Sequence, residues 1–322
     1  RAALLLRAEH LLGRDREDIA GFEMMRTIGE APQPNLRALQ VCQNRVAEKT
    51  LFGQLGIPTP EWKVADSADS LKAAAEELGC PVVAKSITEG YDGKGQAVLK
   101  SPDQADDAWD MIGHPQVIVE KFVNFSREVS IIAVRAEDGD VAFYPIAENT
   151  HHEGILRYSI APAPGLQAHV QKDAERYIKA LLNELNYVGV LTVELFETPE
   201  GLVANEMAPR VHNSGHWSIE GAMTSQFENH IRAVSGHPLG SVEPRGLSCM
   251  INIIGEHGDI ERILELPYAH VHLYNKGERA GRKLGHVNIL ADSYKELVWR
   301  VRTCAQFLPG CPEFKSSLTA KG

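Results

Sequence analysis

Glu194 and Glu206 flank the turn Thr198-Pro199-Glu200-Gly201, within Leu191-Thr-Val-Glu-Leu-Phe on one side and Leu202-Val-Ala-Asn-Glu-Met on the other. Both arms read as strands. With Pro199-Glu200-Gly201 as the connection, residues whose numbers sum to 400 face one another, so the two carboxylates fall opposite on one face of a hairpin. Their Cβ atoms would lie about 5 Å apart. Like charges there oppose sheet formation unless a cation sits between them, and hard divalent cations take carboxylate oxygens. A metal-phosphate site is one reading; a solvated or slipped pair is the other, because the register is inferred.

Four further constellations carry possible chemistry. Lys85 stands at a strand end before Glu89-Gly90-Tyr91-Asp92-Gly93-Lys94-Gly95-Gln96, whose glycines let backbone amides approach phosphate oxygens. Alone, it reads rather as a plain hairpin with Asp92-Gly93 or Lys94-Gly95 as the turn. Val117-Ile-Val-Glu120-Lys121-Phe122-Val123 runs into a connector whose backbone could pair with an adenine edge, with Glu120 and Glu128 available to ribose hydroxyls. An edge strand with solvated charges is the alternative. Asn149-Thr-His151-His152-Glu153 tempts a zinc reading, but neighbours on an extended chain point to opposite sides, and a tetrahedral site needs convergent ligands. A loop near anionic phosphates is the expectation there. Asn205-Glu206-Met-Ala-Pro-Arg210-Val-His212-Asn213-Ser-Gly-His216-Trp217 is the densest block. Arginine supplies a fork for phosphate or carboxylate, histidine moves protons near neutral pH, and asparagine completes a metal shell.

The elements that must position these residues alternate between helix and strand. Helical patterning covers residues 1–30 and, after Pro32-Gln-Pro34, residues 36–55; Ile57-Pro-Thr-Pro60 closes the second run. A strand at 62–64, a helix over 67–78 and a strand at 82–85 follow. Residues 116–120, 129–134 and 141–146 are strand-like, with Asp138-Gly139 as a hairpin turn. Residues 169–185 form a long helix before the carboxylate hairpin, residues 225–234 another after it, and residues from 246 onward a smaller unit. The chain shows no internal repeat.

Composition bounds the partners. A formal charge of −10 over 322 residues argues against a general nucleic-acid binder, which needs a basic face. Five scattered cysteines with no C-x-x-C pair fit a reducing, cytoplasmic setting better than a disulfide framework. No apolar run is long enough to cross a membrane.

Taken together, the sequence resembles the ATP-grasp superfamily and, within it, the 5-(carboxyamino)imidazole ribonucleotide synthases. The resemblance covers roughly residues 41–283. It rests on Gln43-Asn-Arg45-Val-Ala-Glu-Lys49, Gly90-Tyr-Asp-Gly-Lys-Gly-Gln96, Phe125-Ser-Arg-Glu128-Val-Ser, Gly154-Ile-Leu-Arg-Tyr-Ser, Asn205 to Trp217, and Gly281-Arg-Lys-Leu-Gly-His286. It implies an α+β (mixed α/β) ATP-grasp fold with a nucleotide cleft between two lobes. Residues 1–40 would be an incomplete Rossmann-like N-terminal domain, 41–242 the ATP-grasp domain with its small lobe over about 58–117, and 243–322 a small β-rich C-terminal domain.

The same resemblance implies roles. Arg45, Lys85, Gly90, Tyr91, Asp92, Gly93, Lys94, Gly95 and Gln96 would bind the phosphates of ATP. Glu120, Lys121, Phe122 and Val123 would hold adenine, Glu128 the ribose, and His151 would lie near the nucleotide. Glu194 and Glu206 would bind magnesium or manganese, with Asn205 beside them at the nucleotide. Asp92, Arg210, His212 and Lys276 would carry out catalysis around bicarbonate and aminoimidazole ribonucleotide, with Asn213, Arg282 and Lys283 on the substrate. The implied reaction is ATP-dependent carboxylation through carboxyphosphate by a homodimer. Formate-dependent glycinamide ribonucleotide transformylase, or an ATP-binding fragment without turnover, are the other readings. Glu89 stands where the family usually has glycine, which implies weaker ATP binding unless it points to solvent or pairs with Lys94.

Overall fold

A computed structural model describes residues 35–88 and 95–314. The expected helix over 1–30, the proline break after it, and loop residues Glu89 to Lys94 lie outside the described residues.

The helical run expected over 36–55 is two helices, α1 (Leu36–Cys42) and α2 (Arg45–Gln54). Asn44 divides them. Its backbone is extended, and its side-chain oxygen accepts from the amides of Val46 and Ala47, so its capping chemistry outweighs the continuous helical pattern.

Strands β1 (Trp62–Ala65), β2 (Val82–Ser86), β3 (Gln96–Leu99) and β4 (Val117–Lys121) form an antiparallel sheet in the order β1-β4-β2-β3. Helices α3 (Ala68–Leu78) and α4 (Ala105–Ile112) cover one face, burying Leu71, Ala75, Val82, Ala84, Val117 and Val119. Alternation along the strands therefore sends Lys85 and Glu120 to the other face.

A nine-stranded sheet forms the larger body: β5 (Arg127–Arg135), β6 (Val141–Phe143), β7 (Ala147–His152), β8 (Ile155–Ala161), β9 (Gly189–Thr198), β10 (Gly201–Ala208), β11 (Leu247–Ile254), β12 (Ala269–Leu273) and β13 (Lys283–Ala291). Its order is β10-β9-β5-β7-β8-β11-β13-β12, with β6 on β5. Helix α5 (Ala168–Glu184) covers one face through Ile178, Leu181 and Leu182. On the other face lie the short α6 (Ser218–Gly221) and α7 (Gln226–Val234), around Trp217, Val190 and Ala233. Two expectations change here. The strand expected over 141–146 spans only Val141–Phe143, and the segment at His151 expected as a loop is the β7–β8 hairpin, turned by Glu153 and Gly154 at positive φ. The C-terminal strands have their own core with α8 (Ile260–Leu264) and α9 (Tyr294–Ala305), yet β11 pairs with β8, so they extend the large sheet.

Replacing Asn44 by Ala should lower stability by about 1 kcal/mol, read as a lower urea midpoint at an unchanged slope.

Candidate active site

The carboxylate hairpin has a register the sequence did not specify in full. Gly201 already pairs with Thr198, so the connection is Pro199-Glu200, and Leu202, Val203 and Ala204 face Glu197, Phe196 and Leu195. In this register Glu194 would face Asn205. A bulge at Asn205 then shifts the ladder by one residue and sets Glu206 opposite Glu194. The expected pairing is present, reached through an irregularity rather than a three-residue turn.

The pair is electrostatically loaded. Burial and the neighbouring Glu206 charge raise the Glu194 carboxyl to about 7, against a smaller opposing pull from His151. Lys283, at the start of β13, also lies close enough to lower it. His212 Nε2 is 3.3 Å from Glu194 Oε1. The Ser214 amide donates to His212 Nδ1 at 3.3 Å, so a neutral ring carries its proton on Nε2, facing Glu194. Burial, with the charges of Arg210 and Lys283, pushes the His212 pKa well below its ordinary value, so the ring is neutral at physiological pH. Gln226 clamps its backbone at both ends, accepting from His212 N and donating to His212 O. Behind it, Asn149 Nδ2 donates to Ser130 Oγ and Ser130 Oγ to Ser214 Oγ, which lies 2.9 Å from His212 Nδ1.

Across the cleft, Lys85 Nζ donates to Glu120 Oε2 at 3.0 Å and sits 3.5 Å from Asn205 Oδ1. Burial favours the protonated Glu120 carboxyl, but Lys85 and Lys49 outweigh it and hold the pKa below the usual carboxylate value. Glu120 Oε1 is buried with no hydrogen-bond partner among the described residues. Arg45 Nη1 donates to Ser86 O, beside the base of the glycine-rich loop. Gln96 pairs with Lys85 across β2–β3, and the Gly95 carbonyl accepts from Ser86 N, so strand pairing frames the ends of that loop. At the end of β4, Lys121 pairs with Glu61, and Phe122 beyond it is exposed. Glu128 Oε2 lies 2.9 Å from His151 Nδ1; burial opposes the imidazolium, but that carboxylate prevails and raises the His151 pKa.

Residues from the third region converge through the shared sheet. Asn213 and Asn252 exchange amide hydrogen bonds at 3.1 and 2.7 Å, joining the polar block to β11. Glu220 accepts from Asn288 Nδ2 and pairs with His272 Nε2, fixing α6 to β13 and β12. Tyr274 bonds His286 Nδ1 at 2.7 Å and lies under Lys276, whose ammonium is 5.5 Å from the ring centre. Arg282 donates to Gly277 O within the exposed β12–β13 connection, and Arg210 is exposed beside the hairpin. Thus Arg45, Lys85, Glu120, Glu194, Asn205, Glu206, His212 and Lys283 form one connected site. Asp92 and its neighbours from Glu89 to Lys94 lie outside the described residues. Residue types alone missed Glu48, Lys49 and the Ser130–Ser214 pair; the signal was their place in the segments Gln43 to Lys49, Phe125 to Ser130 and Asn205 to Trp217.

A four-stranded lobe carrying a lysine, facing a larger sheet that carries paired carboxylates, defines an ATP-grasp enzyme. Residues 50–227 match the ATP-grasp domain family, and residues 248–300 match the phosphoribosylaminoimidazole carboxylase C-terminal domain. The chain is 48% identical over 257 residues to the N5-carboxyaminoimidazole ribonucleotide synthase of Pseudomonas aeruginosa, covering 80% of this chain and 70% of that protein. It is similar to the crystal structure of N5-carboxyaminoimidazole ribonucleotide synthetase from Thermus thermophilus, with TM-score 0.87, 44% identity and coverage of 92% and 80%. It is also similar to N5-carboxyaminoimidazole synthase from Aspergillus clavatus in complex with ADP and 5-aminoimidazole ribonucleotide, with TM-score 0.83, 29% identity and coverage of 90% and 79%. The chain belongs to the N5-carboxyaminoimidazole ribonucleotide synthase family.

Without a cation, Glu206 repels Glu194 across the ladder. Glu206→Gln in EDTA should therefore raise the thermal midpoint, on the order of 2 °C, in a calorimetric scan.

Proposed function

We propose that this ATP-grasp ligase carboxylates 5-aminoimidazole ribonucleotide with bicarbonate, consuming ATP and releasing ADP and phosphate, as a step of purine biosynthesis. The observation that carries the proposal is the bulge-set Glu194–Glu206 pair, with neutral His212 and cationic Lys283 beside it. Family membership selects this reaction over formyl transfer, because residues 248–300 match a carboxylase C-terminal domain.

Two carboxylates facing one another, one raised to about 7 by burial and by its partner, suit a hard divalent cation completed by water and phosphate oxygens. Glu194 and Glu206 would hold magnesium or manganese, which when bound neutralises charge on the transferred phosphoryl group. The protein's own groups supply the rest. Arg45, Lys85 and residues 90–96 take the ATP phosphates, Glu120 to Val123 the adenine, and Glu128, oriented by His151, the ribose. A bicarbonate oxygen attacks the γ-phosphorus, the bond to ADP breaks, and carboxyphosphate forms. Arg210 and His212 flank the bicarbonate, the His212 Nε2–H holding Glu194 beside it, and preorganised donors of this kind stabilise charge as it develops. The exocyclic amine then bonds the carboxyl carbon, directly or as released CO2; phosphate departs, and Asp92 accepts the amine proton. Asn213 and Lys276 flank the ribonucleotide, and Arg282 and Lys283 suit its phosphate.

The same reading assigns residues 1–40, 41–242 and 243–322 to N-terminal, ATP-grasp and C-terminal domains, and places a homodimer in the cytoplasm. Its support there is the family resemblance and the scattered cysteines, all of them free among the described residues.

ADP release with magnesium-ATP and bicarbonate should rise on adding 5-aminoimidazole ribonucleotide and fall to background in EDTA. Stimulation by formate and glycinamide ribonucleotide instead would reject the assignment. Lys85→Met should lower kcat/KM for ATP by about 100-fold in the same coupled assay, through loss of a phosphate-facing cation.

A further inference from the structure

Two buried ionisable side chains next to each other in sequence, outside every role assigned above, meet the outer edge of the carboxylate hairpin. Glu48 and Lys49 lie in the first turns of α2, each only 2% exposed. Charged side chains are rarely buried so fully without a specific partner. Their partners are backbone groups of β10, the edge strand of the large sheet. An edge strand presents one row of amides and carbonyls with no ladder partner. Here part of that row, from Ala204 to Met207, is covered. Ala204 N donates to Pro58 O at 2.7 Å, Lys49 Nζ donates to Asn205 O at 2.7 Å and lies 3.4 Å from Ala204 O, and Met207 N donates to Glu48 Oε1 at 2.6 Å.

These contacts bracket Glu206. Asn205 is the bulged residue that advances the pairing by one position, and a bulged residue leaves the regular ladder. Lys49 supplies its carbonyl with a partner from outside the sheet, while Glu48 fixes the amide immediately beyond Glu206. The Lys49 ammonium also lies 3.6 Å from Glu120 Oε2, the oxygen that accepts from Lys85. One cation thus ties the carboxylate hairpin to the nucleotide-facing lysine of the small lobe.

We propose that Glu48 and Lys49 are positioning residues for the divalent cation: by holding Asn205 O and Met207 N they stabilise the bulge that turns Glu206 toward Glu194. The inference rests on the reading that Glu194 and Glu206 hold the cation. Neither Glu48 nor Lys49 ligates it.

The test is titration of Mn2+ in the presence of ADP, following the free-ion signal by electron paramagnetic resonance. Circular dichroism and thermal melting report folding, and ADP affinity in EDTA provides the metal-independent readout. Glu48→Leu and Lys49→Met should each weaken Mn2+ binding by about tenfold or more, the range for groups that orient metal ligands. ADP affinity in EDTA should fall by less than about threefold, and Glu48→Gln and Lys49→Arg, which keep an acceptor and a donor, should recover most of the Mn2+ affinity. If Lys49→Met does not fold, Glu48→Leu decides. Folded variants that bind Mn2+ like the parent, or that lose ADP in EDTA as severely as Mn2+, overturn the proposal. Glu206→Gln separates the two levels. If it retains Mn2+ binding, the cation assignment itself fails; if it loses Mn2+ while folded Glu48→Leu and Lys49→Met do not, only the positioning role is rejected.

Discussion

Two like charges held opposite one another in an antiparallel ladder are the constraint on which the rest of this site depends. Such a pair works against the sheet that carries it, so neighbouring structure must hold it in place. The surroundings of Glu194 and Glu206 fit that requirement. The bulge at Asn205 sets the facing, α2 covers the outer edge of β10, and His212 is kept neutral while its Nε2–H turns to Glu194. Lys283 adds a compensating positive charge. In this arrangement the two carboxylates oppose each other across the ladder, and Lys283 offsets part of that repulsion.

The second organising feature is the continuity of the large sheet. Because β11 pairs with β8, the C-terminal strands grow directly from the body that carries the carboxylates. Lys283 then starts β13 close to Glu194, although nearly ninety residues separate them in sequence. Beside the apolar packing of β8 on β11, polar contacts cross the seam: Asn213 meets Asn252, and Glu220 meets His272 and Asn288. Hydrogen-bonded amides and an ion pair fix relative orientation more narrowly than apolar contact does, because each group must meet a defined partner. The small lobe has no strand in this sheet. Its connection to the site runs through Lys85, Glu120, Lys49 and Asn205.

Much of this was legible in the chain because local chemistry carries it. The stretches on either side of Pro199-Glu200-Gly201 read as two strands, and β-branched runs mark β4 and β5. The dense polar block from Asn205 to Trp217 announces a site, since a solvent loop rarely needs so many specific side-chain types. Local pattern failed where two local signals compete. The run over 36–55 has a helical pattern throughout, yet Asn44 caps a new helix inside it. His151 and His152, read as a loop, belong to a strand whose partner lies just beyond a tight turn at positive φ.

The sequence by itself determined the residue types, the strand-turn-strand pattern and, through resemblance, the class of chemistry, because these depend on short stretches of chain. Only the tertiary structure decided that Glu206 comes to face Glu194 through a bulge at Asn205, that Glu48 and Lys49 are buried on the edge of β10, and that Lys283 lies close to Glu194. Each of these depends on backbone groups and charges far apart in sequence. Lys49 meets the displaced Asn205 carbonyl and Glu48 the Met207 amide, and none of these partners is encoded near the group it meets.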